Sequence, residues 1–170
     1  LSTSVIQDLD SNKVSSIASL QISALTSAQA AKIDADFAAQ LNSSQAAAIT
    51  ESDVPLLTSD ALNNIQGNVF SKLTTGQIDS LKSSQINSLT TAQIYAMSST
   101  QYASLGTLQA VGLRSDQVNA IQPSSLTKLN SDALRAITVS ALGLVETSTI
   151  NALSSTQFSQ LDDKQMTGLS

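Results

Sequence analysis

The 170-residue chain contains no cysteine and no histidine. Their absence excludes disulfide bonds and thiol nucleophiles, and it removes the commonest zinc ligand and general base. Tryptophan is also absent and aromatic residues make up only 3% of the chain, so the core must be built from aliphatic side chains. Because so few groups suited to catalysis are present, we expect a protein that is not an enzyme and uses no cofactor or metal ion.

Basic residues are also few. Eight Lys and Arg residues stand against thirteen Asp and Glu residues, for a net charge of -5. Binding to a nucleic-acid backbone needs clustered Lys and Arg, so we expect no nucleic-acid partner. No apolar run is long enough to span a bilayer, and we expect no membrane insertion. A cysteine-free, acidic chain rich in Ser and Thr is typical of proteins outside a bacterial cell, which predicts an extracellular or cell-surface location.

An eight-residue repeat runs through the whole chain. With its positions named a to h and residue 1 at a, position a is aliphatic in 22 of 22 cases, and position f is apolar in all 21 octads. There is no insertion or deletion. The pattern defines one array, residues 1–170, of about 21 octads, which we expect to be a segment of a longer protein.

The polar positions of the octad are also regular. Positions b and c are mostly Ser, Thr, Asp or Asn, and position e is Gln in 11 of 21 octads. Six of these glutamines occur in successive octads: Gln77, Gln85, Gln93, Gln101, Gln109 and Gln117. The consensus is Leu-[Ser/Thr]-[Ser/Thr]-x-Gln-Ile-x-[Ala/Ser].

This pattern predicts one short helix per octad. A continuous helix would rotate the apolar stripe by about 80° per repeat, and in a strand positions a and f would point to opposite faces. If b is the N-cap, then e falls at N3, and Ser/Thr-x-x-Gln forms a capping box. The same assignment makes a and f the two residues of a hydrophobic staple. Because c is Ser or Thr as often as b, the N-cap could also lie one residue later.

Helices this short are unstable alone and need the support of other repeats. We therefore predict an all-α fold, an α-solenoid or superhelix of very short helices, in which a and f face inward and b, c, d and g face outward. Successive helices packed at about 8 to 10 Å would give a path of roughly 170 to 200 Å, shortened by any winding. Pro55 at position g predicts a locally broken repeat.

Few residues suggest a functional site. The acidic pairs Asp34/Asp36 and Asp162/Asp163 could bind calcium or act as acid and base, but helix N-terminal charge explains them better. The row of Gln residues is interpreted as the N3 half of successive capping boxes, with hydrogen bonds between repeats as the alternative.

Several apolar residues fall at positions that are otherwise polar or small. They are Leu20, Leu56, Tyr95, Leu108, Val111, Val139 and Leu144. They could extend the core or form a surface for a protein partner. Tyr95, Leu108 and Val111 are the best candidates for partner binding.

The run from Leu73 to Ile94 resembles the Leu-Thr-Thr-x-Gln-Ile-x-Ala arrays of very long bacterial surface or secreted proteins of the adhesin and RTX kind. The resemblance implies an extracellular stalk or binding array with no catalytic residues. The glycine-aspartate nonapeptides that bind calcium in RTX proteins are missing here. Two hypotheses follow: a structural spacer, whose partners are its own neighbouring repeats and copies bound end to end, or a protein-binding solenoid that uses its outer face.

Overall fold

The computed structural model describes residues 2–169, and within this range the fold is all-α. Twenty α-helices of four to six residues and one 3-10 helix follow one another, and no strand occurs among them. The α-helices are α1 Thr3–Gln7, α2 Ser11–Ser16, α3 Ser19–Ser23, α4 Ser27–Ala30, α5 Ala35–Gln40, α6 Ser43–Ala47, α7 Ser59–Asn64, α8 Gly67–Phe70, α9 Thr75–Asp79, α10 Ser83–Ser88, α11 Thr91–Ala96, α12 Ser99–Ser104, α13 Thr107–Ala110, α14 Ser115–Ala120, α15 Pro123–Leu126, α16 Ser131–Ala136, α17 Val139–Leu142, α18 Thr147–Asn151, α19 Ser155–Ser159 and α20 Asp163–Gly168. The 3-10 helix Val54–Leu56 lies between α6 and α7.

Every α-helix begins at position c, so the residue at b is the N-cap. In α11 the Thr90 hydroxyl accepts a hydrogen bond from the backbone N–H of Gln93 at 3.2 Å. The Asn42 side chain does the same for the N–H of Gln45 at 2.9 Å. These bonds satisfy amides that have no partner inside the helix. Of the two N-cap positions that the pattern allowed, the chain uses b.

Helices that run to position h, such as α2 and α5, end because the residue at position a is extended. Leu41 has φ -62° and ψ 131°, and Leu57 has φ -64° and ψ 139°. The N–H of the residue at a bonds the carbonyl of f three residues earlier, as in Leu41 to Ala38 at 3.3 Å. Two extended residues, a and b, then separate one helix from the next, and the chain changes direction there. No residue in the described range has a positive φ.

The helices wind into a tight superhelix. The main packing contacts join helices three repeats apart, such as α5 with α7 across the 3-10 helix, and α11 with both α8 and α14. Side-chain hydrogen bonds between turns span 28 and 31 residues, so one turn holds about 3.5 octads (28/8). Residues 2–169 therefore make about six turns (168/28).

This winding shortens the array considerably. The accessible surface of 8001 Å² is close to the roughly 7,900 Å² expected for a compact monomer of this size. With turns about 8 to 10 Å apart, six turns give a length of about 50 to 60 Å. The path of 170 to 200 Å assumed that successive helices pack on each other, whereas the helices pack mainly on those one turn away.

Three positions of the octad fill the interior. Positions a and f are buried as predicted through the central turns, for example Ile78, Leu81, Ile86 and Leu89 at 0–1% exposure. Position e is buried as well from Phe37 to Ala141, whether it carries Gln, Ala, Val or Ser, but it is exposed at Val5, Lys13 and Gln21. The hydrophobic pattern alone did not assign e to the interior, because its most frequent residue is polar.

The predicted break at Pro55 is confirmed. A 3-10 helix replaces the α-helix of octad 49–56, since proline at position g has no N–H to continue the helical bonding. Val54 and Leu57 remain buried in the core on either side of it. Their carbonyls accept from Gln85 one turn later at 3.0 and 2.9 Å, so the register of the superhelix is unchanged.

Candidate functional site

The most distinctive feature of the molecule is a column of buried glutamines at position e. We call it the glutamine column; its members are Gln45, Gln77, Gln85, Gln93, Gln101, Gln109, Gln117, Gln157 and Gln165. Each has an exposed fraction of 6% or less. A buried primary amide is stable only if its donors and acceptor are satisfied, and here they are satisfied by the backbone of two different turns.

Each amide in the column makes bonds in two directions. In Gln93, Oε1 accepts from the backbone N–H of Thr90 at 3.1 Å and completes the capping box. Nε2 donates to the carbonyls of Leu62 at 2.6 Å and Ile65 at 2.8 Å, which lie 31 and 28 residues earlier. Glutamate could accept the capping bond but could not donate to the carbonyls. Both interpretations of the glutamine row are therefore correct at once.

The same arrangement recurs along the array. Gln45 bonds Val14 and Ile17, Gln77 bonds Ala46 and Ile49, Gln101 bonds Phe70 and Leu73, Gln117 bonds Ile86 and Leu89, Gln157 bonds Leu126 and Leu129, and Gln165 bonds Leu134 and Ile137. Gln109 departs slightly, because its second carbonyl is that of Asp79. The column is thus a repeated link between turns and needs no ligand to complete it.

Where position e lacks glutamine, side chains of the neighbouring octad or of the next turn supply the donors. The carbonyl of Ile94 lies 31 residues before Ser125, where a glutamine would donate to it. It accepts instead from the buried hydroxyl of Tyr102. In the octad of Ala133, Asn130 at position b donates to the carbonyl of Leu105 at 2.8 Å. Gln66 and Gln122, also at b, donate to the carbonyls of Ala39 and Tyr95. These substitutes are not apparent from the octad pattern, because they depend on the 28-residue register.

Burial also affects the ionisation of Tyr102. Desolvation of the phenolate raises the pKa of Tyr102 well above its ordinary value. The hydroxyl therefore stays protonated at neutral pH and donates to the Ile94 carbonyl. This hydrogen bond joins neighbouring octads, since Tyr102 and Ile94 are eight residues apart.

Two ion pairs lie on the surface and join residues that are close in sequence. Asp10 pairs with Lys13 at 3.0 Å and Asp116 with Arg114 at 3.0 Å. The pKa of Asp10 is lowered chiefly by the backbone N–H of Lys13, and that of Asp116 chiefly by the side chain of Arg114. Exposed pairs of this kind contribute little to stability.

The acidic pairs are helix caps. Asp34 accepts from the N–H of Phe37 at 2.9 Å, and Asp162 accepts from the N–H of Gln165 at 2.8 Å. Asp36 and Asp163 lie in the first turns of the same helices. In the part of the chain that the structure describes, no group of three His, Cys, Asp or Glu residues could hold a metal ion, and no helix is long and apolar enough to cross a membrane.

The three candidate partner-binding residues are all exposed, Tyr95 by 59%, Leu108 by 72% and Val111 by 46%. Leu108 and Val111 lie in one octad, on α13 and directly after it. Tyr95 lies on α11, sixteen residues before Val111, which is about half a superhelical turn. The structure therefore places Leu108 and Val111 together and Tyr95 on another side.

The fold and its interior define a class: an all-α superhelix of short capped helices, repeated every eight residues and linked from turn to turn by buried amides. Comparison of the chain with protein-family models, with curated proteins and with solved structures found no match.

Proposed function

We propose that this chain is a non-enzymatic structural spacer in a bacterial surface or secreted protein, where it separates other domains outside the cell. The observation that carries the proposal is the glutamine column. Because each link joins equivalent atoms 28 and 31 residues apart, the array can gain whole octads without any new kind of contact. The resemblance to octad arrays of bacterial adhesins and RTX-like proteins supports the location.

A stiff spacer should hold its ends at one distance, and the absence of cysteine makes this measurable. Cysteines introduced at the exposed positions Asp8 and Lys164 would each carry a spin label. Double electron–electron resonance would then give the distribution of distances between the two labels. We expect a single narrow distribution. In-place duplication of residues 65–120, which is seven octads or two turns, should lengthen the distance by about 16 to 20 Å.

The matched control duplicates residues 65–116, which is half an octad shorter. This insertion shifts position e by four residues, so glutamines on one side of the junction no longer face carbonyls on the other. We expect a broad distance distribution and reduced helix content. A broad distribution for the parent chain, or no increase after the seven-octad duplication, would contradict the spacer proposal.

End-to-end association of copies is part of the same proposal. Phe158 and Met166 occupy position f yet are 41% and 40% exposed, whereas Ile86 and Ile94 at the same position are fully buried. A further turn of the same repeat, contributed by a second copy, would cover these side chains. We expect sedimentation velocity to show mass increasing with concentration, and Phe158→Lys to keep the chain monomeric. A monomer at all concentrations would contradict this association.

The second candidate function is protein binding through the outer face. It is favoured by the exposed side chains of Leu108 and Val111, which lie in one octad. A binding solenoid should retain one partner from the culture medium or surface extract of its source and lose it on Leu108→Ser with Val111→Ser. The control is Leu20→Ser, because Leu20 is about as exposed as Leu108 but lies 88 residues before it in the sequence. If both variants retain the same proteins as the parent, this alternative fails.

A further inference from the structure

Asp53 is an exception in the interior of the superhelix. It occupies position e of octad 49–56, where the consensus residue is Gln, and it is only 4% exposed. Its Oδ2 accepts a hydrogen bond from the Thr50 hydroxyl at 2.7 Å. Its Oδ1 is buried and has no hydrogen-bond partner in the protein. A buried carboxylate oxygen without a partner carries a large desolvation cost, so another group is needed to balance it.

The two carboxylate oxygens correspond to the two polar atoms of a glutamine in the column. In Gln93, Oε1 accepts from the Thr90 hydroxyl at 3.2 Å, just as Oδ2 of Asp53 accepts from Thr50. The second polar atom of Gln93 is Nε2, which donates to two carbonyls of the preceding turn. Oδ1 of Asp53 therefore replaces a donor with an acceptor.

The register identifies the carbonyls that Oδ1 faces. Residues 28 and 31 positions before Asp53 are Leu25 and Ile22. The register holds on both sides of octad 49–56, since Gln45 bonds Val14 and Ile17 and Gln85 bonds Val54 and Leu57. No side chain in the described range donates to the carbonyls of Leu25 or Ile22. The Ile22 carbonyl accepts the backbone N–H of Leu25 at 3.1 Å, but both carbonyls lack the side-chain donor that a glutamine supplies elsewhere in the column.

We propose that a monovalent metal cation, Na⁺ or K⁺, binds between Asp53 Oδ1 and the backbone carbonyls of Ile22 and Leu25. Carboxylate and carbonyl oxygens are the ligands that hard cations prefer. One carboxylate balances one positive charge, whereas a divalent ion would leave net charge in the core. Aspartate is one methylene, about 1.5 Å, shorter than glutamine, so its carboxylate leaves more room beside these carbonyls than a glutamine amide would. The site is independent of the proposed spacer function.

Thermal unfolding tests the proposal. The parent chain should melt on the order of 3 °C higher in NaCl or KCl than in N-methylglucamine chloride of equal ionic strength, because the bound ion stabilises only the folded state. Asp53→Gln restores the consensus amide, so it should melt at one temperature in all three salts. Asp60→Asn makes the same charge change at an exposed residue of the next octad and should keep the parent's cation dependence.

A direct binding measurement separates this effect from general salt effects. The sodium-23 NMR resonance should broaden when the parent chain or the Asp60→Asn variant is added. It should broaden much less with the Asp53→Gln variant. Equal melting of the parent chain in all three salts would overturn the proposal and leave water or a proton as the bridging group. Equal cation dependence in Asp53→Gln would also overturn it, because the ion would then bind elsewhere.

Discussion

Residues 73–120 and residues 121–153 build the same superhelix with different side chains. In the first region six successive glutamines at position e link each turn to the one before it. In the second, position e carries Ser125, Ala133, Ala141 and Thr149, and the links come from Gln122, Asn130 and Thr149. The comparison shows that the superhelix requires donors at the turn interface but does not require them all at one position.

The two regions also differ in how completely the core is buried. Every a and f residue between 73 and 120 is buried, whereas Val145, Ile150 and Leu153 are only partly buried. Regular glutamine links coincide with the best packed turns. The variants below test whether the regular region is also the more stable one, in order of decreasing expected effect.

The largest effect is expected from Leu89→Asp, which places a charge at a fully buried position between turns. We expect a loss of about 3 to 5 kcal/mol, with hydrogen exchange increasing first in the turn around residue 89. Leu153→Asp, at a partly buried a position, should cost clearly less. Equal losses would remove the distinction between the regions, and uniform loss of protection along the chain would contradict local unfolding.

A smaller effect is expected from Gln93→Leu, which keeps the volume but removes the amide. The N–H of Thr90 and the carbonyls of Leu62 and Ile65 lose their partner, for a cost of about 2 to 3 kcal/mol in urea unfolding. Gln21→Leu is the control, because the exposed side chain of Gln21 accepts the capping bond from the N–H of Ala18 but makes no described bond between turns. If the two variants unfold alike, the links between turns contribute nothing beyond capping.

The substitute donor Tyr102 should matter less than a glutamine. Tyr102→Phe removes one hydroxyl and leaves the Ile94 carbonyl without that partner, at a cost of about 1 kcal/mol. Tyr95→Phe changes the only other tyrosine, which is exposed, and should have no measurable effect. A loss as large as that of Gln93→Leu would show that this bond between neighbouring octads stabilises the chain as much as a link between turns.

The pH dependence of stability provides the smallest of the expected effects. Burial raises the pKa of Tyr102 in the folded state, so the folded state holds this proton more tightly than the unfolded state. Stability from this residue is complete below the unfolded pKa of about 10 and decreases as pH rises above it. Unfolding followed between pH 9 and 11 should show a weaker pH dependence in Tyr102→Phe than in the parent chain.

The octad pattern predicted the local structure well because capping and stapling involve residues three to five apart. The helix at each octad, the N-cap at b and the break at Pro55 all depend on such short distances. The winding could not be predicted, since identical octads do not indicate which of them pack together. The second bond of Gln93 and the separation of Tyr95 from Leu108 both follow from the 28-residue register.

That register has a mechanical consequence. A force applied to the two ends would act on the bonds between turns, and breaking one turn's links would release the residues of that turn together. A fully extended stretch of 28 residues spans at most roughly 92 to 101 Å, against a contribution of about 8 to 10 Å when wound. Each turn would therefore lengthen about tenfold on opening, and since its bonds are backbone and amide contacts without disulfides, it could rewind when the load falls. The array would behave as an extensible tether that limits force by releasing length in equal steps.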